Sequence, residues 1–363
     1  MIGQKIRIYP TEEQERFLEE LCGFYRHAYN MMLAHKKVNF NLSFREIRDW
    51  YKLNKEPWAN QYSNMIIESA SEDLKDAFQR FFAKQNRYPS FKTKRNGLRF
   101  SINRKNESTC RFKDGCIFLN RNNHIRVSED LKYAHPMSFT FRKDAGQRFV
   151  SVNFKDNVPA LPKTSVHCGI DVGLKTEITI YDSNNKCSKL NLNVDKLARL
   201  EKRRKHYQKL LSKKQRDSKS YKKVQKKLQT SYRKQNNYVE DFYKKSSYDI
   251  VKNYDIISIE DLNIQGMMKN RKVSHSFQMK ALRKFLTILQ AKAKLVGKTI
   301  YIVDRFFSSS QICSVCGDKN KSVKNLAVRD WTCPNCGTHH DRDENAARNI
   351  LQEAMKHTAS TTI

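Results

Sequence analysis

The sequence predicts a multidomain chain of mixed α/β and all-β parts, ordered as a helical region, a β-rich region and an α/β core with a metal-binding insertion. Three observations carry this. Apolar residues recur at helical spacing between 17 and 31 and between 67 and 81, then give way to five short β-like runs between 98 and 154. From 166 onward, buried-type strands alternate with helical stretches, and two of those strands end in acids. Two Cys-x-x-Cys-Gly units stand just before the last helical stretch.

Lys5-Ile-Arg-Ile-Tyr9 alternates polar and apolar residues, so it reads as a strand that Pro10 ends. Thr11-Glu-Glu-Gln14 is a capping box, and the helix it opens places Phe17, Leu21, Phe24, Ala28 and Met31 on one stripe. A second helix from about Ser63 carries Ile67, Ala70, Leu74, Ala77 or Phe78, and Phe81. The runs 98–102, 116–119, 124–127, 138–142 and 148–154 suggest a small barrel or sandwich, and 157–162 a linker. Residues 166–171 form a buried-type strand with a hairpin partner at 177–181. A basic region over 197–248 is expected as one or two helices turning near Asp217-Ser218, with a narrow seam of Tyr221, Val224, Leu228 and Tyr232. A strand at 256–260, an amphipathic helix over 274–296 closed by Gly297, a strand at 299–303 and a helix over 343–355 complete the pattern. Strand, hairpin, helix, strand, helix, strand and helix, with acids at strand ends, is compatible with an RNase H-like core.

Charge narrows the partners. Seventy Lys and Arg against 37 acids give a net charge of +33, which calls for a polyanion, nucleic acid first among them. No apolar run approaches the roughly 20 residues of a spanning helix, and no signal peptide opens the chain, so a cytoplasmic protein is expected. Four of nine cysteines lie in the two knuckles. Cys22, Cys110, Cys116, Cys168 and Cys187 follow no framework spacing and read as thiols in a reducing compartment.

Cys313, Cys316, Cys333 and Cys336 have the spacing of a four-thiolate Zn²⁺ site. His339 and His340 are not needed beside four thiolates. Asp171 ends a strand before Val-Gly173, Glu260 ends an otherwise apolar strand, and Asp343 starts the last helix. An acid in such a strand is costly unless it meets a metal, and two-metal phosphodiester cleavage needs carboxylates converging from separate elements. Mg²⁺ suits that donor set. Asp261, Asp341 and Glu344 stand close enough in sequence to be alternatives. Lys202, Arg203, Arg204, Lys222, Lys223, Lys226 and Lys227 have almost no acids among them and are candidates for nucleic-acid contact. Arg329 would suit a phosphate contact, and Trp331 either a stacking platform or packing within the ribbon.

These motifs together carry a family resemblance. Gly169-Ile-Asp171-Val-Gly173-Leu-Lys175, Ile259-Glu260-Asp-Leu-Asn263, Gly266-Met267, Asp304-Arg-Phe-Phe-Ser-Ser-Ser-Gln311 and the stretch 313–350 resemble TnpB, the OrfB-type protein of insertion sequences related to type V CRISPR nucleases. The match is close over about 165–352. It is patchier before that, where Lys5 to Gln14, Tyr29-Asn-Met31 and Tyr88-Pro-Ser-Phe-Lys92 carry it. Ser308 stands where the family often has Pro, a loop change.

The resemblance implies a first wedge strand at 1–10, a helical recognition lobe at 11–87, a wedge β-barrel at 88–160 and a RuvC-like nuclease core at 161–304. It further implies a zinc ribbon that helps handle target DNA at 305–340, a last RuvC helix at 341–356 and a disordered tail at 357–363. It implies an RNA-guided DNA endonuclease in which Asp171, Glu260 and Asp343 hold two Mg²⁺ ions. Its partners would be a guide RNA from the transposon end and a double-stranded DNA target beside a short motif. A type V CRISPR effector, a guided repressor that does not cut and a transposase are the rival readings; the retained acids count against the repressor.

Overall fold

The computed structural model describes residues 2–94, 97–103, 110–120, 123–325 and 327–359. The chain divides into two compact units, 1–157 and 158–363.

The first unit begins with strand β1 (Ile2–Tyr9), whose burial alternates perfectly, as the sequence alternation requires. Helix α1 (Glu12–Val38) starts at the expected capping box, where Gln14 N–H donates to the Thr11 hydroxyl and the Gln14 side chain accepts from Thr11 N–H. Its buried row includes Leu18, Leu21, Phe24, Ala28 and Met32. Phe17 is only partly covered and Met31 is exposed, which moves two members of the expected stripe by one residue. Helix α2 (Phe44–Asn54) was not expected from periodicity, yet it has its own capping box of Ser43 and Glu46. Helix α3 (Asn64–Phe82) is capped by Ser63 and buries Ile67, Ala70, Leu74 and Phe78.

The expected β runs appear as β2 (Arg99–Asn103), β4 (Cys116–Phe118), β5 (His124–Val127), β6 (Pro136–Asp144) and β7 (Gln147–Phe154), with a further short strand β3 (Arg111–Lys113). They form one seven-stranded sheet in the order β2-β6-β7-β1-β5-β4-β3. The first strand of the chain thus lies inside the sheet, antiparallel to both β7 and β5. The helices are consequently an excursion between the first strand and the rest of its sheet.

The second unit is built on β8 (His167–Asp171), β9 (Ile178–Asp182), β10 (Cys187–Leu190), the long helices α4 (Val194–Ser212) and α5 (Lys219–Asn253), and β11 (Ile256–Glu260). Asp217 takes a left-handed φ of 65° and Ser218 caps α5, so the basic hairpin turns where the sequence indicated. A short α6 (Ile264–Met267) follows, then α7 (Arg271–Lys280) and α8 (Leu282–Leu295), β12 (Thr299–Val303), β13 (Asp330–Thr332), β14 (His339–Asp341) and α9 (Arg342–Ala359). Two expectations are corrected. The helix over 274–296 is broken at Ala281, which adopts φ 48°. The last helix runs on to 359 where a loose tail from 357 was expected; residues 360–363 lie outside the described residues.

Five strands form a sheet in the order β10-β9-β8-β11-β12. The β8-β9-β10 ribbon is antiparallel, while β11 runs parallel to both β8 and β12. Cys168, Ile170, Ile257 and Ile259 from the sheet, Val239, Tyr243 and Ile250 from α5, and Phe285 and Leu289 from α8 share one core. Asp255 braces the starts of the two central strands, accepting from Thr164 N–H at 2.8 Å and Ser165 N–H at 2.7 Å and pairing with Lys298 at 2.5 Å.

Candidate metal centres

The register of β8 and β11 places two acids side by side. Their last paired residues are Ile170 and Ile259, so Asp171 and Glu260 finish neighbouring parallel strands at the same end. In open α/β sheets, ligand sites form at such carboxyl ends. The third acid arrives by helix docking. Gly169 has no side chain, and Ala347 and Leu351 of α9 pack directly on it: a β-carbon there would lie 2.1 Å from Ala347 O and 2.5 Å from Leu351 N. Asp343 lies one turn before Ala347, so this contact carries its carboxylate toward the strand ends.

Asp171 lies close enough to both Glu260 and Asp343 to feel their charges. Burial pushes the Asp171 carboxyl well above its ordinary range, and the negative charges of Glu260 and then Asp343 push it further in the same direction. Burial also raises Glu260, against a hydrogen bond from Ser309. Two buried carboxylates pushed toward the neutral form, with a third acid near enough to act on one of them, are a donor set suited to cations.

The neighbouring acids are engaged elsewhere. Asp261 pairs with Arg305 at 2.6 Å and is half exposed. Asp341 accepts from Glu344 N–H at 2.9 Å, which caps α9, and binds Lys189 at 2.7 Å. Arg329 reaches Asp343 at 3.2 Å. Its guanidinium therefore stands at an acid of the cluster rather than on a separate face of the ribbon.

The four knuckle cysteines have sulfurs all within 4.8 Å of one another, with Cys313–Cys336 and Cys316–Cys333 at 3.6 Å. Four thiolates at about 2.3 Å from one tetrahedral ion would be about 3.8 Å apart, so the set fits a metal. Both knuckles fold identically: Gly317 and Gly337 take φ of 79° and 72°, and each amide donates to the first cysteine's carbonyl at 2.9 Å. Trp331 is 6% exposed and packs with Cys313, Val323 and Cys333, so it serves the ribbon core and is not a stacking platform. His340 lies against it, with Nε2 3.0 Å from Cys313 Sγ, adjacent to the thiolate set but outside it.

The basic hairpin divides its cations. Arg203, Tyr207, Lys223, Lys226, Lys227 and Lys234 line a groove of about 430 Å³ between α4 and α5. Lys202 and Lys222 are exposed without lining it. Arg204 turns inward; its side chain is 12% exposed, beside Glu201 and over the Tyr232 ring, so it braces the hairpin and is removed from the exposed set. Sequence reading did not find Ser309, which donates to Glu260, or Lys189; only the Ser-Ser-Ser run hinted at the first.

Comparison with known proteins agrees with these features. Residues 149–271 match the family described as "Probable transposase", residues 283–350 the "Cas12f1-like, TNB domain", and residues 1–43 a "Helix-turn-helix domain". In this chain that last segment is a strand and one helix. The "Putative RNA-guided DNA endonuclease" of Streptomyces pristinaespiralis is 30% identical, over 97% of this chain and 89% of that one. "TnpB-like protein L770" of Acanthamoeba polyphaga mimivirus is 24% identical over 98% and 73%. The structure of a Cas12f1–sgRNA–target DNA complex covers 94% of this chain and 83% of that one, with a TM-score of 0.65 at 14% identity, a likeness of fold. The chain belongs to the TnpB family of OrfB-type proteins.

Proposed function

We propose that this protein is an RNA-guided DNA endonuclease of a transposable element, cutting through a single RuvC-like site. The observation that carries the reading is the meeting of Asp171 and Glu260 on adjacent strands beneath the helix whose first turn holds Asp343. The strand order, a three-strand antiparallel ribbon followed by two parallel strands, supports an RNase H-like core. The seven-stranded sheet that takes up β1 supports the wedge barrel, and helices α1 to α3 the recognition lobe. The relatives' names support the guide RNA and DNA as partners.

Asp171, Glu260 and Asp343 would hold two Mg²⁺ ions. When bound, such ions supply a water-derived nucleophile and charge stabilisation for the leaving oxygen. Arg329 presents a guanidinium beside Asp343, suited to a phosphate of the strand being cut. Cys313, Cys316, Cys333 and Cys336 would hold one structural Zn²⁺. The groove cations Arg203, Lys223, Lys226 and Lys227 would grip the phosphate backbone while base pairing reads the sequence.

The test is cleavage of a plasmid carrying a target matched to the RNA that co-purifies with the protein. Cutting should require Mg²⁺ and disappear in Asp171→Ala, Glu260→Ala and Asp343→Ala, with guided DNA binding retained. Robust Mg²⁺-dependent cutting by Asp171→Ala would overturn the assignment, and joined DNA ends among the products would favour a transposase.

A further inference from the structure

Helix α9 carries a second functional row besides Asp343. Asn345, Asn349 and Gln352 recur at four and three residues, so they share a stripe distinct from the Ala347–Leu351 contact on Gly169. Asn345 and Asn349 are 2% and 3% exposed. Buried amides need partners, and these find theirs in one short segment. Asn349 Nδ2 donates to Ser309 O at 2.7 Å and Ile312 O at 2.6 Å. Asn345 Nδ2 donates to Ile312 O at 2.8 Å, and its Oδ1 accepts from Ser314 N–H at 3.0 Å. Gln352 reaches Ser314 O at 3.2 Å.

The clamped segment holds Ser309, itself 6% exposed, whose hydroxyl donates to Glu260 Oε1. It also holds Cys313, the first knuckle thiol. Backbone bonds alone would merely close a loop. The Ser309 hydroxyl differs because it is aimed at a carboxylate of the acid cluster.

We propose that Ser309 is a positioning residue for Glu260, and that Asn349, with Asn345, holds Ser309 in place. One helix would then set two of the three acids, Asp343 through its own backbone and Glu260 through Asn349 and Ser309. A hydroxyl fixed on one carboxylate oxygen restrains rotation and leaves the other oxygen for an ion. Partners of this kind typically govern metal affinity about 10- to 100-fold. This rests on the reading of Asp171, Glu260 and Asp343 as the ion-binding acids.

The experiment measures Mn²⁺ binding by electron paramagnetic resonance on the protein purified with its RNA, without target DNA, alongside the Mg²⁺ dependence of single-turnover cutting. Ser309→Ala should weaken Mn²⁺ binding about tenfold and raise the Mg²⁺ needed for half-maximal rate similarly, with guided DNA binding unchanged. Ser309→Thr, which keeps the hydroxyl, should restore most of the loss. Asn349→Asp removes the donors at nearly constant size and should move Mn²⁺ affinity the same way, with no further loss when combined with Ser309→Ala. Wild-type Mn²⁺ affinity in Ser309→Ala, or a Thr variant no better than Ala, would overturn the positioning role; additive losses would overturn the link through Asn349. Failure of the nuclease reading would show separately, as cutting by Asp171→Ala.

Discussion

Gly169 and Ala347 are in contact so close that a β-carbon on the first would sit 2.1 Å from the carbonyl oxygen of the second. The contact is backbone to backbone, between the strand that ends in Asp171 and the helix that begins near Asp343. Neither partner can yield by rotating a side chain. Gly169→Ala should therefore lift α9, costing about 3 kcal/mol of stability by overpacking and abolishing cutting through displacement of Asp343. Thermal melts and plasmid cleavage check this; unchanged melting would show that the helix has room to shift.

A second prediction concerns acid stability. Burial pushes the Asp255 carboxyl up, but Lys298 and the amides of Ser165 and Thr164 outweigh it and hold it at about 2. A folded value below the unfolded one, about 3.9, contributes stability that is complete above the unfolded value and is lost as pH falls toward the folded one. Asp255→Asn should lower the urea midpoint at pH 7, with the difference from wild type shrinking between about pH 4 and pH 2. A difference independent of pH would mean the carboxylate's charge is not what joins the starts of β8 and β11.

Metal removal should act on the ribbon first. If the four thiols hold one zinc as proposed, elemental analysis should find about one zinc per chain. Cys333→Ser or a strong chelator should remove it and expose Trp331, now 6% exposed, with a red shift in its fluorescence. Because Cys313 and Ser309 lie in the same clamped segment, cutting should fall as well, while RNA binding persists. A zinc-free protein with full cutting activity would detach the ribbon from the acid cluster.

The basic hairpin gives a prediction that separates residues only a few positions apart. Lys223, Lys226 and Lys227 line the α4–α5 groove and Lys222 does not. Changing the first three to Gln should flatten the slope of log affinity against log salt by about 2 to 3, at about 0.7–0.9 for each phosphate no longer neutralised. Lys222→Gln should change it less than any of them. Equal effects from all four would mean that nucleic acid does not bind in the groove.

Much of this architecture was legible because its determinants are local. The Thr11–Gln14 box starts α1, and Ser218 with Asp217 turns the basic hairpin, each by hydrogen bonds or backbone angles spanning only a few residues. The missed helix α2 carried the same kind of signal in Ser43 and Glu46, unaccompanied by a strong apolar row: it buries only Ile47 and Tyr51. Strand β10 was missed for a related reason, since an edge strand half exposed along its length shows no alternation. The break at Ala281 has no glycine or proline to announce it.

The sequence by itself determined the basic character, the zinc-type knuckles, the three elements ending or starting in acids and the family likeness, because composition and short spacings are read along the chain. Only the tertiary structure decided which carboxylates meet. Asp261 and Asp341 are no less acidic in sequence than Glu260 and Asp343, yet one is taken by Arg305 and the other by Lys189 and the cap of α9. That choice depends on strand register and on a helix resting directly on Gly169, contacts between residues far apart in the chain.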